Sequence, residues 1–235
     1  VALNPEYASA YLNKANIFLN SKEFVRAINT LNEFLEIDPT HLQAWCYLGE
    51  CYEENNNFRK SLEIYKKVIK LNNTYAAGWY GAGVNLSNLK RYKEAANYIL
   101  KAIEFDNNNP EYWFSLAEIY EKLEYYPEAI KCFRHVVSID PDDREAWIRL
   151  AFIYIDRKEL GDSLIVLREA YQNNFTSMDI LYMLSAVYFR LDDRDAGLIF
   201  LEKALEQGED ALKVFFKIYH DGKNDDNIRK IIKNT

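Results

Sequence analysis

The chain has 235 residues, of which 49% are hydrophobic, 15% aromatic and 28% charged, a composition that folds rather than one that stays disordered. Lys and Arg number 29 against 36 Asp and Glu, and the resulting formal charge of −7 argues against a general coat for nucleic acid or an anionic membrane surface. No apolar run approaches the ~18 residues of a membrane helix, the first residues do not read as a signal-type segment, and 8 Gly with 5 Pro are too few for a turn-rich all-β fold.

Trp45, Trp79, Trp113 and Trp147 recur at steps of 34 residues. One step back lies Tyr11 and one step forward Leu181, so six units follow without insertion: 8–41, 42–75, 76–109, 110–143, 144–177 and 178–211. Ahead of them, Val1-Ala2-Leu3-Asn4-Pro5 matches the last positions of a unit. Residues 1–7 are therefore expected to be the tail of a truncated upstream repeat, with Tyr11 and Phe18 short of a packing neighbour. Within each unit, apolar residues at positions 4, 7, 8 and 11, and again at 17, 20, 21, 24, 27 and 28, follow helical spacing. Each unit thus reads as two amphipathic helices. Asn20-Ser21-Lys22, Asn55-Asn56-Asn57 and Asn88-Leu89-Lys90 mark the turns between them. Asp38-Pro39 and Asp140-Pro141 end a second helix, because Pro disfavours helix in the residue before it.

The columns repeat through the chain. Position 8 is small (Ala15, Gly49, Gly83, Ala117, Ala151, Ser185), and so is position 20 (Ala27, Ser61, Ala95, Ala129, Ser163, Gly197). Position 24 is large (Leu31, Tyr65, Ile99, Phe133, Leu167, Leu201). Small residues let paired helices approach and large ones fill the space between them. Gly81-Ala82-Gly83 is read as such a packing site rather than a phosphate loop. After the sixth unit, Ala211–His220 is apolar on one face and stops at Asp221-Gly222, a capping helix. A short basic helix over about 227–233 completes the chain.

With Trp or Tyr at position 4, Leu at 7 (Leu48, Leu116, Leu150, Leu184), Gly or Ala at 8, Ala at 20 and Pro at 32, residues 8–211 resemble the tetratricopeptide repeat family. The resemblance implies an all-α, right-handed α-solenoid superhelix of stacked antiparallel helix pairs, whose first helices line a concave groove. Three units depart from the pattern. Lys14 takes a Leu column, Arg194 takes an aromatic one, and Asn173, Asn174 and Phe175 replace the usual unit end, so the junction near 172–178 is expected to be looser or bent.

Signatures of chemistry are absent. There is no Gly-rich phosphate loop and no HExxH, and His41, His135 and His220 are scattered. Asp140, Asp142 and Asp143 lack the Gly and Glu of a calcium loop and read as a capped helix start. Cys46 and Cys51 point about 140° apart on a helix, and Cys132 stands alone, so no disulfide, metal clip or redox pair is expected. The thiols suit a reducing, cytoplasmic compartment. No catalytic residue, metal or cofactor is expected.

By the family resemblance, groove contacts come from first-helix positions 2, 5, 6, 9, 12 and 13. Nine of these 36 residues are acidic and three basic. The expected ligand-binding residues are Tyr47, Glu50, Tyr80, Phe114, Glu118, Arg149, Phe152 and Tyr182. The family's carboxylate-gripping clamp is not reproduced: Asn16 and Arg149 each match a single column, in different units. Charge instead favours an extended or helical protein segment carrying Lys or Arg with apolar anchors. The leading expectation is a non-catalytic protein–protein interaction scaffold. An alternative is the partner-recruiting repeat region of a larger enzyme with its catalytic domain elsewhere. Nucleic-acid binding would need a basic groove and a 35-residue period, and membrane insertion is not expected. The chain should be a monomer, or a dimer through the exposed N-terminal repeat face.

Overall fold

A computed structural model describes residues 5–173 and 177–234. Among these there are fourteen α-helices and no strand. The first-helix series is α1 (Pro5–Asn20), α3 (Leu42–Glu54), α5 (Ala76–Asn88), α7 (Pro110–Lys122), α9 (Arg144–Asp156) and α11 (Met178–Arg190). The second-helix series is α2 (Phe24–Ile37), α4 (Phe58–Leu71), α6 (Tyr92–Phe105), α8 (Tyr126–Ile139), α10 (Leu160–Gln172) and α12 (Arg194–Leu205). From α3 onward every first helix begins at unit position 1, and every second helix begins at position 17. Helix α1 begins earlier, at Pro5. The chain closes with α13 (Leu212–Ile218), a 3₁₀ turn (His220–Asn224) and α14 (Asp226–Asn234). Asn174 and Phe175, where a looser junction was expected, lie outside the described residues.

The turns explain the period. Position 15 of all six units adopts the left-handed conformation, at φ between 56° and 64°: Lys22, Asn56, Lys90, Glu124, Lys158 and Asp192. None is Gly. The following amide donates to the carbonyl five residues back, as in Arg91 N to Leu86 O at 2.9 Å and Asp193 N to Tyr188 O at 3.0 Å. This is the Schellman arrangement, which satisfies carbonyls that a helix end leaves unpaired.

Between units, an Asx turn does the same work. The side chain of Asp38, Asn72, Asp106 or Asp140 accepts from the amide two residues on. The next unit's Trp indole then donates to the carbonyl six residues back: Trp45 to Pro39 and Trp147 to Pro141 at 2.9 Å, Trp79 to Asn73 at 2.8 Å, Trp113 to Asn107 at 2.9 Å. The Trp column therefore locks the junction as well as filling it. Asp143 caps α9, its carboxylate accepting from Ala146 N at 2.9 Å, as expected of a capped helix start.

Small residues at positions 8 and 20 bring the paired helices into contact. Ser61 Oγ donates to Gly49 O at 2.8 Å and Ser185 Oγ to Gly197 O at 2.7 Å. A Cβ on Gly83 would lie 2.5 Å from Ile99 Cγ1, so close packing governs the Gly81-Ala82-Gly83 stretch. Phe34, Leu31, Ile99, Phe133 and Leu167 of the second helices are fully buried, each stabilising the stack by roughly 1.5–3 kcal/mol.

The chain divides into two compact units, 1–129 and 130–235. In the first, consecutive helices from α1 to α7 pack in series, and first helices also meet one another. Lys14 is exposed, so its departure from Leu buries no charge. In the second, α13 packs on α11. Arg194, in an aromatic column, reaches the tail instead: it forms an ion pair with Asp225, which also caps α14 through the amides of Asn227 and Ile228.

Candidate ligand-binding site

A pocket of about 360 Å³ opens on the first-helix face of the first unit. Helix α3 contributes Cys46, Glu50, Glu53 and Glu54; α5 contributes Ala77, Tyr80, Gly81 and Val84; α7 contributes Glu111 and Tyr112; Tyr65 of α4 closes the back. Positions 5, 9, 12 and 13 of one helix share a face, which is why three carboxylates of α3 converge. The small residues of α5 make the hollow. A Cβ on Gly81 would sit 2.3 Å from the Tyr65 ring, so only Gly admits that ring.

The carboxylates are oriented by neutral donors. Tyr80 Oη donates to Glu111 Oε1 at 3.0 Å and lies 3.1 Å from Ser115 Oγ, which must then be the donor of that pair. Asn85 Nδ2 donates to Glu53 Oε2 at 2.7 Å and to Gly81 O at 2.8 Å. Asn85 is fully buried, and its Oδ1 has no hydrogen-bond partner. The Tyr80 and Tyr112 rings lie 4.6 Å apart at 32°. Among the described residues, no Lys, Arg or His pairs with Glu50, Glu53, Glu54 or Glu111.

Burial and this uncompensated charge together shift the carboxyl and thiol groups. Burial, then the Glu53, Glu111 and Glu54 carboxylates, push Glu50 up to about 7. Burial also raises Glu53, against the opposing Asn85 hydrogen bond. The Cys46 thiol is pushed up to about 12 by burial and then by Glu50, and Cys51 likewise. Neither thiol is an available nucleophile. All three cysteines are buried and free. No group of His, Cys, Asp and Glu among the described residues has the geometry to hold a metal ion. No helix there is long and apolar enough to cross a membrane.

Of the residues expected from sequence, Glu50 and Tyr80 line this pocket. Tyr47 is half-buried on α3, its hydroxyl 3.4 Å from Gln43 Nε2. Phe114 and Glu118 are half-buried on α7, outside the pocket lining. Arg149, in the second unit, pairs with Glu145 at 3.4 Å. Phe152 is half-buried with Lys217 Nζ of α13 4.5 Å above its ring.

Tyr182 requires a correction. It is fully buried, and its hydroxyl donates to Gly208 O at 2.8 Å, so it is a core residue and not a groove anchor. Phe189, also in a groove column, packs on Phe215 and stacks on Tyr219 at 5.2 Å. The loop after α12 and helix α13 cover this face of α11.

Sequence reasoning missed Tyr112 and Tyr65 as pocket residues, and Asn85 as the buried donor behind the lining that holds Glu53. Two of them carried a signal. Asn85 is the polar member of a column otherwise filled by Ile17, Cys51, Ile119, Ile153 and Val187. Tyr112 is the aromatic member of Ala10, Ala44, Gly78, Ala146 and Ile180.

A family model described as the Tetratricopeptide repeat protein 21 C-terminal ARM domain matches residues 4–146. A second, described as Tetratricopeptide repeat, matches residues 79–221. Curated proteins give no significant match. Among solved structures, YrrB, described as a TPR protein with an unusual peptide-binding site, is similar at a TM-score of 0.63 and 20% identity, over 80% of this chain and 96% of that one. The pilF protein of Pseudomonas aeruginosa is similar at 0.69 and 19% identity, over 90% and 96%. A MamA variant from RS-1 is similar at 0.63 and 16% identity, over 74% and 97%. At these identities the structures share the fold. Each family model spans more than half of the 235 residues, and the chain belongs to the tetratricopeptide repeat family.

Proposed function

We propose that the chain is a non-catalytic protein-interaction scaffold whose α3–α5–α7 face takes a polypeptide segment carrying Lys or Arg beside apolar anchors. The observation that carries this reading is the pocket of four glutamates, walled by tyrosines and without a basic partner among the described residues. Glu50 and Glu53 are half-buried while Glu54 and Glu111 are exposed at the mouth; a partly buried carboxylate is costly unless paired, and a cationic side chain supplies what the pocket lacks. Membership of a family of protein-binding scaffolds supports it, as does the peptide-binding site described for the similar YrrB. The second unit offers an internal precedent, since Lys217 and Phe215 of α13, with Tyr219 just after it, pack on groove-column residues Phe152 and Phe189 in the same chain.

The test is fluorescence anisotropy with two libraries of labelled peptides, one rich in Lys, Arg and aromatic residues and the other with Asp and Glu in place of the basic ones. The basic library should bind, more weakly at high salt, and Glu50→Lys with Glu111→Lys should weaken it by more than tenfold. Preference for the acidic library, or binding indifferent to the two substitutions, would overturn the reading.

A further inference from the structure

The geometry points to the pocket between α3, α5 and α7 as a subsite for a single arginine side chain of the bound segment, selective for guanidinium over ammonium. This rests on the reading above and makes it specific.

The pocket has a surplus of acceptors and no cation. Glu53 and Glu111 approach from different helices, each held by a neutral donor, Asn85 Nδ2 at 2.7 Å and Tyr80 Oη at 3.0 Å. Neither tie brings a counter-charge, and both hold their carboxylates in place, which lowers the ordering cost of binding. Asn85, which lies behind the pocket lining, shows the same shortage of donors there. It is fully buried against two elements of the pocket wall, Glu53 and the Gly81 carbonyl, and its Oδ1 has no donor. Turning the amide over would set Oδ1 against the Glu53 carboxylate and Gly81 O, so the shortage of donors stands in either orientation. The complement is a cation with many N–H groups. A metal ion does not fit, because no group of described residues has metal-holding geometry.

Two features choose guanidinium. First, acceptors lie on more than one side of the hollow. Five N–H donors spread around a plane can reach them, where an ammonium presents three from a point. Second, Tyr80 and Tyr112 form a wall of two rings 4.6 Å apart, within reach of anything in the pocket. A planar guanidinium stacks on such a wall, whereas a strongly hydrated ammonium must shed its water to do so. The volume, about 360 Å³, suits one long side chain and excludes a helix.

The test is a titration of the ¹⁵N-labelled full chain, followed by NMR, with N-acetyl-arginine amide, N-acetyl-lysine amide and N-acetyl-citrulline amide. Citrulline has the shape of arginine without its charge. Arginine amide should saturate with a dissociation constant on the order of millimolar, shifting the amides of 50–54, 80–84 and 111–112. Lysine amide should bind at least fivefold more weakly and citrulline amide should not bind. Glu53→Gln with Glu111→Gln, checked for an unchanged helical spectrum, should weaken arginine amide about tenfold. Equal shifts from lysine or citrulline, or no saturable shift with arginine, would overturn the proposal. If that occurs while basic peptides still bind and still fail on the Lys-substituted pocket, the arginine subsite is wrong and the scaffold reading survives. Loss of peptide binding altogether would sink the reading beneath it.

Discussion

Glu50 shows how one residue couples the pocket to the stability of the stack. Its folded value lies near 7 and its ordinary value near 4.5, chiefly through burial. Between those two pH values the folded chain holds more protons than the unfolded one, so stability falls as pH rises through the window and the full cost is present above it. Glu50→Gln removes that cost while keeping the shape. We expect the variant to exceed the parent by about 2 kcal/mol at pH 8, after discounting for partial exposure, and to match it at about pH 4, below the unfolded value. Chemical denaturation at the two pH values reads this directly, and an equal difference at both would mean the side chain is not desolvated. Asn85 poses the complementary case. Asn85→Val removes a buried orphan acceptor and restores the apolar character of its column. It should raise stability by about 1 kcal/mol while freeing the Glu53 carboxylate and weakening cation binding. A loss of both stability and binding would show that Asn85 is there for the fold.

At the scale of the element, the six left-handed turn residues are the informative feature, because Lys, Glu, Asn and Asp all occupy a conformation that costs an ordinary residue about 1–2 kcal/mol. Glycine loses more entropy on folding, by roughly 0.5–1 kcal/mol, which offsets part of the relief. Lys90→Gly should therefore stabilise the α5–α6 hairpin by about 0.5 kcal/mol, and Asn56→Gly by less, since Asn tolerates the conformation. A denaturation midpoint that falls for Lys90→Gly would mean that contacts of the Lys90 side chain, rather than backbone geometry, decide this turn. The positions of these helices and turns were legible from the tryptophan spacing and the small-residue columns, because each is set by residues within one 34-residue step. The pocket was legible only in part. Glu50 and Tyr80 announce themselves by column, but Asn85 meets Glu53 across 32 residues and Tyr65 enters the space left by Gly81. A column says which face a residue takes, and not which side chain from the next unit meets it there. Tyr182 was misread for a related reason: what buries it is Gly208 and α13, an element that belongs to no repeat and whose docking has no period to reveal it.

For the molecule as a whole, repeats that touch only their neighbours make stability a sum of unit and interface terms, so damage should spread from its source and fade. The C-terminal segment is the sharpest place to test this. It supplies Phe215 and Tyr219 to Phe189, Asp225 to Arg194 and Lys217 to Phe152, all within the second compact unit. A chain ending at residue 210 leaves Phe189 and its neighbours on α11 facing water, at a cost on the order of several kcal/mol for the large apolar side chains involved. Hydrogen exchange should then show protection lost most in α11 and α12, less in α9 and α10, and unchanged over residues 5–129, where the acidic pocket would keep its affinity for arginine amide. Uniform loss of protection along the chain would mean that folding is all-or-none and that the two units are not separable in energy. A graded loss would mean instead that α13 stabilises the second unit locally, covering a first-helix face whose counterpart in the first unit carries the open acidic pocket.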